Sequence, residues 1–435
     1  MVLDTLKALF FKKYVKDVPP GNHLSFTLLR KFAPFFTFKR KGKTVTLVTR
    51  ASDIREILNQ SIIFGNTNRY GMDPAFAPGF FMMARDEHEP EHDHEKSIMM
   101  SLLTRDDLPM IRKMAFSLAV ENLEEATKNG NNEIDAIAVL SKKVPIQIVD
   151  KYFGFQSPDY DTMVRWSDAL QGSFFYNKTR NEESPYDDKT AAEVGAEARK
   201  YIRDVLLPKR QKELQEKPNL KDPVSRMLRT VFVEEAKFDQ ERVVANTLGL
   251  LVGCVETNNN AILKTLDRLM AMPEAMKLAR EAAEVDDDDK LIKICWEVLR
   301  WNAPTTLLPR IVTQDTVLNG HKFKKDTTVL PIHRSAFFDP HWVHEPNKLR
   351  LDRPYHIESF HFGCGPHKCL GSHVASQVMP MVIKAILLHK PGVDRVRTAV
   401  GEFDLKKGTV FVTNYWLQFS DEKIERKPKK LFGIF

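Results

Sequence analysis

The chain has 435 residues, of which 43% are hydrophobic and 28% charged, with 65 Lys and Arg against 58 Asp and Glu for a formal charge of +7. That balance excludes wholesale disorder, and the length allows one large domain or two. No run of 18 apolar residues is present, so a membrane-spanning helix is not expected, and basic and acidic residues are mixed without the basic stripe of a nucleic-acid binder.

Taken in chain order, Met1–Lys16 lacks the long apolar core and cleavage site of a secretory signal. Residues 35–50 alternate around Gly42 and predict a β-hairpin, followed by a helix over Ala51–Asn59 with Ser52 as N-cap. Residues 66–85 are rich in Gly, Pro and Asn yet carry Phe76, Phe80, Phe81, Met82 and Met83, and so predict a loop covering something apolar. From 93 to 280 the periodicity is mainly helical, with breaks near Asn129–Asn132, Gln156–Asp159, Asn177–Asp188 and Lys217–Pro223. Helices are predicted over Val243–Met272 and Asp286–Trp301, the latter opening on four aspartates that suit a helix N-terminus. Short β-rich pieces follow at 310–333 and 403–419. The pattern is helix-dominated, with small sheets at the edges and no evident linker or repeat.

Four cysteines, Cys254, Cys295, Cys364 and Cys369, are too few for a disulfide framework in so long a chain, and a reducing cytoplasm is the expected location. The last two lie in Phe362-Gly363-Cys364-Gly365-Pro366-His367-Lys368-Cys369-Leu370-Gly371, a tight loop before an apolar helical pattern. Such a loop sets a sulfur where backbone amides and a helix N-terminus favour the thiolate. Gly371 would admit a flat ligand close to the backbone. Two other readings stand beside this one: a purely structural turn, and a zinc cluster from His361, Cys364, His367, Cys369 and His373, whose spacings match no closed zinc pattern.

The loop resembles the haem-binding loop of the cytochromes P450. By that resemblance Cys369 is the axial ligand of the iron of haem b, His367 points at a propionate, Phe362 packs on the sulfur's side of the ring, and Gly371 belongs to the same cradle. Glu297 and Arg300, at i and i+3 on one helix face, resemble with Arg353 the family's buried, structural ion triad. Ala303–Arg310 resembles its strand over the haem, with Arg310 on a propionate. Pro90-Glu91-His92 with Lys96 resembles its propionate-binding helix, although arginine is usual where Lys96 stands. Gly253-Cys254-Val255-Glu256-Thr257-Asn258 resembles the distal helix, with Glu256 and Thr257 relaying protons; a helix kink or solvated notch is the alternative for these residues alone. Cys254 replaces a commoner glycine and Asn258 a commoner hydroxyl.

The resemblance runs from about residue 35 to 420. It implies a mainly α fold with small β-sheets, a helix-rich triangular prism around a buried haem, as one domain over 1–435 with an N-terminal extension (1–34) and a basic-apolar tail (421–435). It implies a monooxygenase that places one oxygen atom of O2 in an apolar small molecule, a thiolate ligand favouring O–O cleavage. Substrate is expected among Phe76, Phe80, Phe81, Met82, Met83, Phe174–Phe175, Gly253, Thr305, Leu308 and the 409–411 segment around Val410, although each aromatic or Met suits an ordinary core equally well. With no dinucleotide motif or flavin segment, electrons are expected from a separate ferredoxin and its reductase, docking on a basic face that includes Lys96, Arg112, Lys113 and Lys368. The Thr257-Asn258-Asn259-Asn260 run keeps a peroxide-driven peroxygenase or fatty-acid hydroperoxide isomerase open, and a haem carrier or sensor is a remoter reading. The basic-apolar ends, Met1–Lys16 and Glu425–Phe435, suit either docking on the body or peripheral membrane contact.

Overall fold

The structure, a computed structural model, describes residues 24–86, 89–176, 187–230, 234, 237–353, 360–396, 412 and 415–424. Helix α1 (Leu24–Phe32) opens the described chain and is followed by the hairpin β1 (Phe35–Arg40) and β2 (Lys43–Val48). Gly42 makes that turn with φ +78°. Residues 24–34 do not stand apart as an extension. Phe26 and Leu29 pack with Phe38, Val45, Leu47 and Ile332, and the Arg30 guanidinium donates to the Ser335 carbonyl at 3.0 Å.

Helix α2 (Ala51–Asn59) begins where expected, but Ser52 does not cap it. Arg50 is the N-cap, and the orphan Ala51 N–H is satisfied from far away in sequence, donating to Asp339 Oδ2 at 2.9 Å. The segment expected to be a loop instead holds β3 (Phe64–Asn66), α3 (Arg69–Phe76, with Pro74 inside) and a 3-10 turn (Met82–Ala84). Helices α4 (Pro90–Leu102), α5 (Leu108–Thr127), α6 (Lys143–Ile148), α7 (Tyr160–Gln171), α8 (Asp188–Tyr201), α9 (Leu207–Glu216) and α10 (Pro223–Arg229) follow, with strand β4 (Glu133–Asp135) between α5 and α6. Short π-helical stretches, Ile137–Ser141 and Val149–Phe153, flank α6.

Helix α11 (Gln240–Ala271) is the axis of the molecule. Its 32 residues span about 48 Å, and its N-cap Asp239 accepts from the Arg242 amide. Most positions are buried, polar ones such as Asn246, Glu256 and Asn259 among them, yet Gly253 and Thr257 are open on one face. Helices α12 (Pro273–Glu284) and α13 (Asp288–Arg300) come next, the aspartate run placing Asp287 as the cap of α13.

The strands β5 (Arg310–Val312), β6 (Thr316–Leu318), β7 (His321–Phe323) and β8 (Thr328–Pro331) precede the short α14 (His333–Ala336). Helix α15 (Ser372–His389), β9 (Gly392–Arg395) and β10 (Trp416–Ser420) complete the described chain. The sheets are small: β1-β2-β8-β5-β3, β4-β10-β9 and the pair β6-β7. The fold is therefore mainly helical with peripheral sheets. Helices α5, α11, α13 and α15 share the main apolar core, and the large sheet packs with α2 in a second one.

Candidate active site

The loop before α15 is built by two left-handed glycines, Gly363 (φ +69°) and Gly365 (φ +72°). At Gly365 a Cβ would lie 2.3 Å from the Leu58 carbonyl oxygen, so no other residue fits there. The turn closes with the Cys369 N–H donating to the Phe362 carbonyl at 2.8 Å and the Lys368 N–H donating to Gly365 at 3.0 Å. Cys369 is open to solvent on its cavity side, yet the protein packed around it desolvates the thiol and pushes it up, against the opposing pull of the Gly371 N–H, Lys96 and Lys368. Cys364 faces the second core instead. Among the described residues no group of three or more His, Cys, Asp or Glu side chains is arranged to hold a metal ion, which leaves the zinc reading without support.

Cys369 lies on the wall of a cavity of about 1190 Å³ that also reaches α11, the 3-10 turn at Met82–Ala84 and the segment leading into β5. Of the residues expected there, Phe81, Met82, Met83, Gly253, Thr257, Thr305, Leu308, Arg310, Phe362, His367 and Gly371 line it. Val410 and the rest of 409–411 lie outside the described residues. The Thr257 hydroxyl donates to the Gly253 carbonyl at 2.5 Å, so it points along the open face of α11.

Several expectations fail for identifiable reasons. Phe76 is core, stacked on Phe81 at 5.0 Å and packed beside Phe174 at 6.0 Å. Phe80 is held between two guanidiniums, with Arg242 3.6 Å and Arg85 4.8 Å from its ring centre. Lys96 is off the cavity wall, its ammonium donating to the Pro366 carbonyl and thereby bracing the cysteine loop. Burial lowers its pKa to about 8, so it is not a free surface charge for a docking partner. His92 also stands behind the wall, 4.8 Å from the ring of His367.

Glu256 is the main correction. Its carboxylate is wholly buried and turned off the cavity, where Lys142 Nζ lies 2.7 Å from Oε1 and the Asn259 amide donates to Oε2 at 3.0 Å. The same ammonium bonds Asp168 on α7 at 2.7 and 3.0 Å. Thr257 and Glu256 are neighbours in sequence, but a helix turns successive side chains about 100° apart. They cannot both face one cavity squarely. Sequence reasoning missed Lys142 and Asp168 because nothing local links them to Glu256.

The ion triad does assemble. Arg300, without exposed surface, donates to Glu297 at 3.0 and 2.9 Å, and Arg353 Nε donates to the same carboxylate at 3.0 Å. At one end of the cavity, His92 Nε2, His367 Nδ1 and Arg310 Nε are buried without a protein hydrogen-bond partner. Burial lowers Arg310 to about 10 and His367 to about 4, the latter opposed by Asp86, whose Oδ1 is 3.4 Å from Nε2. Asp86 was another residue the sequence did not point to. A Cβ at Gly253 or Gly371 would meet no protein atom within 4 Å, which leaves room for a flat group between α11 and the cysteine loop.

The Cytochrome P450 family model matches residues 14–389. The chain belongs to the cytochrome P450 family. Relatives include the mycinamicin IV hydroxylase/epoxidase of Micromonospora griseorubida, 24% identical over 84% of this chain and 86% of that protein. The vitamin D(3) 25-hydroxylase of Pseudonocardia autotrophica is 24% identical over 85% of this chain and 86% of its own length. The cytochrome P450 PksS of Bacillus subtilis shares the fold, with a TM-score of 0.73, 19% identity and coverage of 92% of this chain and 97% of its own. This P450 is thus an oxidoreductase that binds haem b and, as in the family generally, uses O2 and a redox partner. The buried orphan donors, the thiol and the open glycines fit such a group. No helix among the described residues is long and apolar enough to cross a membrane.

Proposed function

We propose that this P450, folded as one domain over its length, is a haem-thiolate monooxygenase that inserts one oxygen atom into an apolar small molecule. The observation that carries this is the shared cavity: Cys369 on one wall, Thr257 on the opposing helix, and Phe81, Met82, Met83 and Leu308 between. Haem bound there supplies O2 activation, favoured by an anionic sulfur ligand. The residues do the rest. Cys369 holds the iron, with the Gly371 N–H and Lys96 supporting the charge on sulfur. Arg310, His367 and, through His367, His92 hold the propionate end. Thr257 holds its hydroxyl oxygen at the cavity wall while its proton is donated to the Gly253 carbonyl, and the mainly apolar lining excludes bulk water. Glu256 acts from behind the helix as a positioning residue, not by contact with substrate.

The three asparagine amides after Thr257 each donate within α11. Asn258 and Asn260 donate to helix carbonyls at 2.7 and 3.0 Å, and Asn259 to Glu256. Asn258 and Asn260 also line the cavity, and Asn258 Oδ1 has no hydrogen-bond partner among the described residues, so turnover with hydroperoxide alone is what separates the monooxygenase reading from a peroxide-driven one. Electrons come from a ferredoxin-type donor and its reductase, for which Lys113 on α5 is an exposed basic residue. The carbon-monoxide difference spectrum of the reduced protein tests the core of the proposal. A strongly red-shifted Soret band should survive Cys364→Ala and vanish in Cys369→Ala. A histidine-type band, or its persistence without Cys369, overturns it.

A further inference from the structure

The open face of α11 does not end at Thr257. Seven residues on, two helical turns or about 10 Å along the axis, Lys264 comes round to the same side and lines the same cavity. Among the described residues its ammonium approaches the Ala303 and Pro304 carbonyls and no other acceptor, at 3.3 and 3.4 Å, both longer than an ordinary N–H···O bond. Among the described residues no carboxylate lies within ion-pair reach of it. Asp267, on the same cavity wall, is turned to Arg395 Nη1 at 3.4 Å. Further cations surround it: Arg268 also lines the cavity, and Arg334 is close enough to repel the Lys264 charge. Burial first, and then Arg334, lower Lys264 to about 8.

Burying an ammonium beside other cations, with no counter-charge among the described residues, is costly, and folding alone supplies no reason for it: Met would fill the space. The segment Ala303–Thr306, which holds the two weak acceptors, is itself cavity wall beside the expected substrate residues Thr305 and Leu308. A ligand reaching from Thr257 to Lys264 would therefore lie along a wall that mixes apolar residues (Ala261, Leu307) with amides (Asn258, Asn260) and ends on a positive charge.

We propose that Lys264 is the anchor for the carboxylate of an amphipathic acid, so that the substrate of this P450 is an apolar skeleton bearing an acid group about 10 Å from the part that faces Thr257. A carboxylate suits the geometry because one donor direction of a single ammonium remains free, which matches one oxygen and not the several donors that a phosphate gathers. The proposal rests on the reading of the cavity as the substrate site and adds the polarity of the molecule it holds.

The test uses haem-loaded protein and three probes, decanoic, tetradecanoic and lithocholic acid, each with its methyl ester, titrated by the shift of the Soret band at pH 7. At least one acid should bind the wild type more tightly than its ester. Lys264→Met and Lys264→Gln should both weaken that acid by about 10- to 100-fold while leaving the ester unchanged. Variants that bind the acid as well as wild type, or lose acid and ester alike, overturn the anchor. If esters still shift the band and the thiolate carbon-monoxide spectrum is intact, the monooxygenase reading survives that result. If no probe of either kind moves the band in wild type, the cavity is not a substrate site for such skeletons and the anchor falls with it.

Discussion

Replacing Lys142 by Met isolates the charge balance behind α11. Two carboxylates, Glu256 and Asp168, share this one ammonium, with Glu256 Oε1 and Asp168 Oδ1 each 2.7 Å away. At an effective dielectric of 20 a fully charged contact at that distance is worth about 6 kcal/mol before desolvation takes back most of it, a value the Glu256 contact approaches only once that carboxyl ionises. Burial pushes Glu256 up to about 8, with Lys142 opposing and Asp168 assisting; Tyr160 is the other titratable group facing the cluster. Burial works against the charge of Lys142, but its two carboxylates prevail and raise it. The signs then fix a window. A carboxyl raised above its unfolded value contributes stability that is complete below about 4.5 and drains as pH climbs through about 8. Without Lys142 the folded value rises further. The variant therefore suffers an added penalty only above about pH 8, growing by about 1.4 kcal/mol per pH unit. Lys142 itself stays fully charged in wild type below about 10.4. Losing the Asp168 bonds costs a further 1–3 kcal/mol or about that, at every pH in this range. From pH 7 to 9.5 the gap should widen by about 2 kcal/mol, which at roughly 1–2 °C per kcal/mol for a chain of this size is about 2–4 °C in Tm. Thermal melts of the haem-loaded protein at both pH values, in wild type and Glu256→Gln backgrounds, provide the measurement. The widening should disappear when Glu256 is Gln. A gap that is constant or narrows with pH would mean that Lys142 matters for packing and that the coupled charges have been misjudged.

Three further substitutions test the scaffold. Glu297→Ala leaves Arg300 buried and unpaired and strips Arg353 of its carboxylate, a loss of about 3–5 kcal/mol; haem content after expression should collapse, and a normal yield of haem-loaded protein would refute the triad's structural role. Gly365→Ala meets both a positive φ and the Leu58 carbonyl, whereas Gly42→Ala meets the positive φ with nothing within 4 Å. The first should lose most of its thiolate carbon-monoxide band and the second should keep it at a cost of about 1 kcal/mol; equal effects would show that the close approach at Leu58 is unimportant.

What was legible in the sequence was what local chemistry decides. Gly363 and Gly365 ahead of a cysteine and a helix describe a turn whatever lies around it, and Glu297 and Arg300 meet because a helix brings i and i+3 together. The cap of α2 was misread for the opposite reason. Ser52 satisfied a local rule, but Asp339, distant in sequence, supplies the acceptor that the helix end uses. Helix α3 was hidden by Gly71 and Pro74, residues that argue against a helix unless neighbours hold it. Here α8 does so, with Gly195 so close that a Cβ would sit 2.2 Å from the Ala75 carbonyl oxygen.

The same division separates the residues of the site. Glu256 beside Thr257 invited a joint role because an acid next to an alcohol reads as a pair, yet adjacency along a helix is separation around it. Only the tertiary partners, Lys142 and Asp168, show which face each occupies. Lys96 shows the converse: its place on α4 was legible, but not that a glycine turn would offer it the Pro366 carbonyl. Lys264 drew no notice because a lysine in a mixed sequence is ordinarily solvated. Its significance comes wholly from what surrounds it, a cavity wall, two distant carbonyls and neighbouring cations, none of which leaves a pattern in the chain. Substrate preference in this P450 therefore depends on the class of contact least visible in sequence. Thiolate and triad variants test which residues hold the haem and the scaffold around it, and the acid–ester comparison at Lys264 tests the polarity of the molecule that this cavity takes.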